Sequence, residues 1–111
     1  MQDRVYIYVI GREEGPVKVG ISTKPWGRLP TIQTGCPLKI ELLFVRQAND
    51  RDHALYHERY IHLDFEEKRL AGEWFNIEAE DVIEQIESAF DMETFFQIKE
   101  RLEKKWREKM Q

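Results

Sequence analysis

The chain has 111 residues, enough for one small domain, and its 41% hydrophobic content can form a core without metal or disulfide cross-links. The single cysteine, Cys36, excludes an intramolecular disulfide, and no apolar run approaches the roughly 20 residues of a membrane span. We therefore expect a cytoplasmic protein with no membrane partner. The net charge of −4 argues against a general polyanion-binding protein.

The charge is distributed unevenly along the chain. Residues 1–50 carry seven basic and five acidic side chains, residues 51–98 carry four and thirteen, and residues 99–111 carry six and three. Any polyanion should therefore contact the N-terminal part and the last helix, because the middle segment repels it. Only a few phosphates can be reached, so we expect such binding to be weak and to fall steeply with salt.

Two alternating segments, residues 5–10 and 17–22, predict antiparallel strands joined by a turn at residues 11–16. The alternation puts one apolar set on a core face: Val5, Ile7, Val9, Val17, Val19 and Ile21. The opposite face carries Tyr6, Tyr8, Lys18, Gly20 and Ser22. We expect the functional site on that polar face, because Gly20 lets a ligand approach the backbone closely.

The remaining elements complete an α+β domain. Residues 23–34 predict a broken or late-starting helix, since Gly27 and Pro30 disfavour a helix interior. A third strand follows over residues 38–46, then a helix from the cap Asn49-Asp50 to about residue 65, a loop over 66–72 and an apolar return over 73–77. Two helices, 78–90 and 93–109, end the chain. We thus predict a three-stranded antiparallel sheet flanked by helices at residues 1–77, and a C-terminal helical extension at 78–111 packed on the same domain.

The last helix carries an apolar stripe at helical spacing, formed by Phe95, Ile98, Leu102 and Trp106. Two interpretations are open. The stripe could support a homodimer, or it could pack on the apolar side chains Val82, Ile86 and Phe90 of the preceding helix.

Glu58 is the most unusual residue of the long middle helix. It shares the apolar face with Ala54, Leu55, Ile61, His62 and Phe65, where an unpaired carboxylate is costly. Glu58 should therefore either pair with Arg28 or His62, or bind a metal beside the polar sheet face. His53 and His57, spaced i, i+4, could form a zinc pair, but a solvated helix face is favoured because no third ligand lies nearby in sequence.

These residues together resemble the GIY-YIG nuclease superfamily, and most closely its phage-borne and fungal DNA-binding subgroup. The resemblance covers residues 5–77 and rests on the hairpin with Gly20, Arg28 eight residues later, Glu58 on the next long helix, and the subgroup's segments Gln33-Thr34-Gly35, His62, Arg69 and Gly72-Glu73-Trp74-Phe75. The first motif, Tyr6-Ile7-Tyr8, lacks its glycine. The second, Lys18-Val19-Gly20, has lysine in place of tyrosine, and Pro30 lies in the helix that carries Arg28.

The resemblance implies a metal-dependent DNA endonuclease that hydrolyses phosphodiester bonds. Tyr8 would then help to activate water, Arg28 would hold the phosphate and Glu58 would bind Mg²⁺ or Mn²⁺. The further candidates are Tyr6 as a rival to Tyr8, Lys18 beside the phenol or on a phosphate, and His62 as an orienting group or a core histidine. We predict that Tyr8, Arg28 and Glu58 converge in one cleft. The alternatives are a non-catalytic nucleic-acid-binding module on the same fold, favoured by Lys18, and a dimerising accessory protein.

Overall fold

The structure, a computed structural model, describes the backbone of residues 4–109 and the side chains of residues 4–92, 100, 103, 104 and 107–109. The elements in chain order are β1 Tyr6–Gly11, β2 Val17–Ser22, α1 Pro25–Thr34, β3 Glu41–Gln47, α2 Arg51–Asp64, a 3₁₀ turn Glu66–Lys68, β4 Arg69–Ala71, β5 Trp74–Phe75 and α3 Ala79–Lys109. The strands form one antiparallel sheet in the order β3-β1-β2-β5-β4. The α+β class is confirmed.

The first hairpin forms in the predicted register, with Ile7 opposite Ile21 and Val9 opposite Val19. The apolar face of this hairpin packs under α2 and α3. The buried members of this core are Ile7, Val9, Val17, Val19, Ile61, Phe75, Ala79, Val82, Ile86 and Phe90. The predicted core face of β1 and β2 is therefore confirmed.

The opposite face of the hairpin is more apolar than predicted. Tyr8 is only 1% exposed and Ile10 is fully buried, and both pack with Ile40 and with Leu29 and Ile32 of α1. The prediction of an open polar face is wrong here, because α1 covers the middle of the sheet. The polar groups that remain accessible lie at the β2–β5 side, and the candidate site is there.

The count of three strands is wrong, because a second hairpin extends the sheet beyond β2. Gly72 turns the chain with φ +57°, a left-handed conformation that glycine adopts without strain. β5 then pairs with β2 through Val17 opposite Phe75 and Lys18 opposite Trp74. These strands have three and two residues, too few for the alternation that identifies a strand in a sequence.

The two helices that frame the site begin close to where the sequence predicts, and α2 has a side-chain cap. α1 starts late, at Pro25, and Gly35 follows its last residue. α2 is capped by Asp50, whose side chain accepts a hydrogen bond from the His53 backbone N–H at 2.8 Å. This cap fixes where the helix starts and hence which of its residues face β2.

The C-terminal segment forms one helix of 31 residues rather than the two predicted. Residues 79–109 contain neither glycine nor proline, so nothing in the local sequence ends the helix near residue 91. Val82, Ile86 and Phe90 are buried in the main core. The stripe Phe95, Ile98, Leu102 and Trp106 lies outside the side chains that the structure describes, so both interpretations of it stay predictions. The division at residue 77 also stays a prediction.

Across the described residues, none of the helices combines the length and the apolar character that a membrane crossing requires.

A candidate metal site beside a cationic cavity

The centre of the site is an ion pair between β2 and the β4–β5 hairpin. Lys18 Nζ lies 2.8 Å from Glu73 Oε2, and the side chains are 15% and 38% exposed. The backbone places both residues, because the Val19 N–H donates to the Glu73 carbonyl at 3.2 Å. Pairing of Lys18 with Trp74, the next residue, continues the same ladder. Partial burial makes the pair less screened than a surface ion pair.

Tyr8 reaches this ion pair across a glycine. Tyr8 and Gly20 are direct partners on β1 and β2. A Cβ atom built on Gly20 would lie 2.6 Å from the Tyr8 hydroxyl and 3.2 Å from Glu73 Oε2. The missing side chain of Gly20 thus provides the space in which the phenol and the carboxylate approach each other.

Two residues of α2 complete a cluster with Glu73. Glu58 and His62 lie one helical turn apart on the face towards β2, and one ligand atom from each of Glu58, His62 and Glu73 lies within 4.8 Å of the other two. All three side chains are partly buried. Carboxylates of two elements and an imidazole at this spacing could hold one divalent cation.

The electrostatics of Glu58 fit a cation at this position. Burial raises the pKa of Glu58, and the nearby carboxylate of Glu73 raises it further. The protonated form of His62, together with Lys18 and Arg59, acts in the opposite direction without cancelling that effect. Two carboxylates that share a partly buried space repel each other, and a bound cation would remove that repulsion.

His62 is oriented by the backbone of β2. Its Nε2 lies 2.9 Å from the Val19 carbonyl oxygen. Because a carbonyl only accepts, this contact assigns the proton to Nε2 and leaves the lone pair of the neutral ring on Nδ1. Metal-binding histidines usually donate their second ring N–H to a carbonyl or carboxylate in this way. The ring also contacts Phe75, with centroids 5.1 Å apart.

Arg28 lies across an adjoining cavity rather than against the cluster. The cavity has a volume of about 590 Å³ and is lined by Arg28, Lys18 and Trp74 among others. Within the part of the chain that the structure describes, Arg28 makes no ion pair, and it is not among the charges that shift the pKa of Glu58. The structure places Glu58 in the cluster and the Tyr8 hydroxyl near it, across Gly20 from Glu73, while Arg28 shares the adjoining cavity with Lys18 and Trp74.

Three other sequence candidates pack against aromatic rings. The Tyr6 ring stands edge-on to Trp26, with centroids 5.8 Å apart. His57 is 1% exposed and stacks on Phe90 at 3.9 Å, and His53 meets the same ring edge-on. The expected solvated face is therefore wrong for His57, because α3 covers that side of α2.

Glu73 is the site residue that sequence reasoning missed. Its segment read as a short apolar return, and the residue received no role although it belongs to Gly72-Glu73-Trp74-Phe75. The signal that could have revealed it is the turn residue Gly72, since a glycine between two short apolar segments indicates a hairpin. A hairpin there would have presented Glu73 to a neighbouring strand.

Fold and cluster together define a small α+β domain with a candidate metal site beside a cationic cavity. The family model of the T5orf172 domain matches residues 4–90, about four fifths of the chain. The chain therefore belongs to the T5orf172 domain family, a group of DNA-binding, endonuclease-associated modules. Comparison with curated proteins and with solved structures gave no match.

The family match corrects the sequence analysis. The assignment to the GIY-YIG nuclease superfamily is wrong, because the family model that matches is that of the T5orf172 domain. The residues at which the chain departs from the two motifs, Tyr6 and Lys18, both lie inside the matched range. What remains of that assignment is the coarser association with DNA and with nucleases, which the T5orf172 domain family carries.

Proposed function

We propose that the chain is a divalent-metal-dependent DNA endonuclease that hydrolyses phosphodiester bonds at the cluster of Glu58, His62 and Glu73. The observation that carries this proposal is the donor set itself, three partly buried ligand atoms within 4.8 Å of one another. Such a set next to Lys18 and a cavity lined by Arg28 suits a phosphate diester better than a neutral substrate.

The sequence predicted Glu58 as the single protein ligand of the metal. The cluster offers two further ligand side chains, His62 and Glu73. Carboxylates suit Mg²⁺ and Mn²⁺, and the imidazole of His62 adds a donor that favours Mn²⁺ over Mg²⁺. A bound cation would supply Lewis-acid stabilisation of the phosphate oxygens and lower the pKa of a water molecule.

The chain's own residues have separable tasks in this proposal. The Arg28 guanidinium can donate two parallel hydrogen bonds to phosphate oxygens and hold the diester in the cavity mouth. Lys18 neutralises part of the negative charge at Glu73 and is a second donor towards phosphate. The buried Tyr8 hydroxyl borders the space above Gly20 that the Glu73 carboxylate also faces, from where it can orient a water molecule.

Cleavage of supercoiled plasmid and of labelled oligonucleotides with Mg²⁺ or Mn²⁺ tests the proposal. Glu58→Gln keeps the volume of the side chain but removes its charge, and we expect it to abolish cutting. Arg28→Ala should reduce the rate about 10²-fold or more, the scale for removing one donor to a developing anion. Tyr8→Phe should reduce cutting while leaving the fold intact.

Arg12→Ala is the matched control, because Arg12 pairs with Glu14 at 2.6 Å on the exposed β1–β2 loop. It removes one positive charge outside the cluster and the cavity, so the cleavage rate should stay within about twofold of the wild type. Undiminished metal-dependent cutting by purified Glu58→Gln would refute the assignment of the cluster.

A non-catalytic DNA-binding module is the second candidate, and the Lys18–Glu73 ion pair favours it. Lys18 already satisfies one of the three ligand side chains at 2.8 Å, so the cluster is partly neutralised without a metal. This candidate predicts salt-sensitive DNA binding that is equal in EDTA and in Mn²⁺, with no cutting in either. Binding that requires the metal would reject it.

A further inference from the structure

We propose that the cavity beside the cluster holds one unstacked nucleobase, so that the domain prefers single-stranded or locally unpaired DNA to fully paired duplex. The inference rests on the proposed function in taking DNA as the ligand. It adds a substrate class and a specificity-determining residue, Trp74.

The shape and lining of the cavity suit a flat aromatic group. The cavity lies between the end of α1 and the β4–β5 hairpin, and its volume of about 590 Å³ is in the range of small-ligand pockets. Its walls are mainly apolar, with Ile32, Cys36, Leu70 and Trp74 among the lining residues. An indole in such a wall offers a stacking surface that every base can use.

The charge of the cavity complements a nucleotide rather than a neutral ligand. Lys18 and Arg28 line it, and none of the lining residues that the structure describes is acidic. This contrasts with the chain as a whole, in which 21 acidic residues outnumber 17 basic ones. A base held by the apolar wall would leave its phosphate among these cations.

Lys18 and Trp74 connect the cavity to the metal-binding cluster. Lys18 lines the cavity and also contacts Glu73, while Trp74 follows Glu73 directly on the hairpin. A nucleotide whose base lies against Trp74 therefore has its phosphodiester beside the cluster. A paired base cannot enter without leaving the stack, which costs energy that single-stranded and mismatched sites do not require.

Cys36 gives a direct test on the unmodified protein. It is the only cysteine of the chain, it is a free, partly buried thiol, and it lines the cavity. Its reaction rate with N-ethylmaleimide in EDTA is measured with a single-stranded oligonucleotide, with its duplex, and with a polymer of abasic deoxyribose phosphates of equal length. We expect the single strand to protect Cys36 at about tenfold lower concentration than either other ligand. Equal protection by the abasic polymer or by the duplex would overturn the proposal.

Trp74 variants test the stacking contact separately. Trp74→Ala should weaken single-strand binding about 5-fold to 100-fold, the range found for loss of one base–aromatic stack, and Trp74→Phe should recover most of that loss. Duplex binding should be unchanged in both. Trp26→Ala is the control, since Trp26 is exposed on α1, meets Tyr6 edge-on and does not line the cavity. An equal loss for single strand and duplex in Trp74→Ala would contradict the base-stacking role.

The two proposals fail in different ways. Base-dependent protection of Cys36 without metal-dependent cutting would support the nucleobase-binding cavity and reject the endonuclease proposal. Cutting of duplex and single strand at equal rates, with no base-dependent protection of Cys36, would reject the nucleobase-binding cavity and support the endonuclease proposal.

Discussion

Gly20→Ala is the sharpest test of the packing around Tyr8. The added methyl group would lie 2.6 Å from the Tyr8 hydroxyl oxygen and 2.8 Å from its Cζ, both well inside contact distance. Tyr8 cannot swing away, because it is 1% exposed and is packed against Ile40 and against α1. The methyl group also approaches Glu73 Oε2 at 3.2 Å, so the strain reaches the cluster.

We expect the substitution to cost about 1–3 kcal/mol, the usual range for one excess methyl group in a packed interior. For a domain of this size that corresponds to a melting temperature about 4–12 °C lower. Equilibrium urea unfolding followed by tryptophan fluorescence and circular dichroism gives the free energy of unfolding.

Gly27→Ala is the matched control with the opposite expected sign. A Cβ atom on Gly27 meets only Lys24 Cβ, at 3.8 Å, and the position is helical, so alanine should stabilise the protein by up to about 1 kcal/mol. A Gly20→Ala variant that unfolds at the wild-type urea concentration or above would contradict the predicted clash with Tyr8. A double variant with Tyr8→Leu should recover part of the loss, since the shorter side chain removes the colliding ring.

Four further predictions concern the cluster, the α2 cap, the cavity and α3. Burial and Glu73 raise the pKa of Glu58, so its protonation stabilises the fold below the ordinary carboxyl pKa, and that contribution is lost as the pH rises through the higher pKa. In metal-free buffer the stability of Glu58→Gln relative to the wild type should therefore increase with pH over that window, whereas parallel urea-unfolding curves would contradict the prediction. Asp50→Ala removes the cap on the His53 N–H and should lower the free energy of unfolding by about 1 kcal/mol. No change is expected for the control Glu84→Ala, since that side chain is exposed on the outer face of α3. Arg28→Ala should reduce the slope of log binding constant against log salt by about 0.7–0.9 in fluorescence anisotropy, and an unchanged slope would exclude a phosphate contact. A homodimer through the C-terminal part of α3 predicts a concentration-dependent mass in analytical ultracentrifugation, and a monomer at micromolar concentration would reject it.

Long, periodic segments were predictable from the sequence because one residue pattern determines them. The alternation in β1 and β2 identified both strands and their core face. Asp50 identified the start of α2, and the position of Glu58 on the apolar stripe indicated a partner or a metal. Each of these inferences uses neighbours within a few residues, where spacing and geometry are directly related.

The parts that failed depend on contacts between distant segments. The burial of Tyr8 requires knowing that α1 crosses that face, and the burial of His57 requires α3 on the other side of α2. Glu73 entered the cluster only through the pairing of a two-residue strand with β2. The helix break expected near residue 91 failed for a local reason, since residues 79–109 contain no glycine or proline that would end a helix.

The Lys18–Glu73 ion pair joins residues 55 positions apart in the chain. The ladder that brings them together has only two residue pairs. The entropy cost of closing the long segment between them, which contains α1, β3 and α2, must therefore be offset by packing elsewhere in the domain. No fragment that ends before the second hairpin can contain the cluster, whatever local structure it keeps. Any chemistry at this site is therefore a property of the completed domain, and a brief detachment of residues 69–74 would dismantle the cluster and open the adjoining cavity while Phe75 and the rest of the main core stay packed.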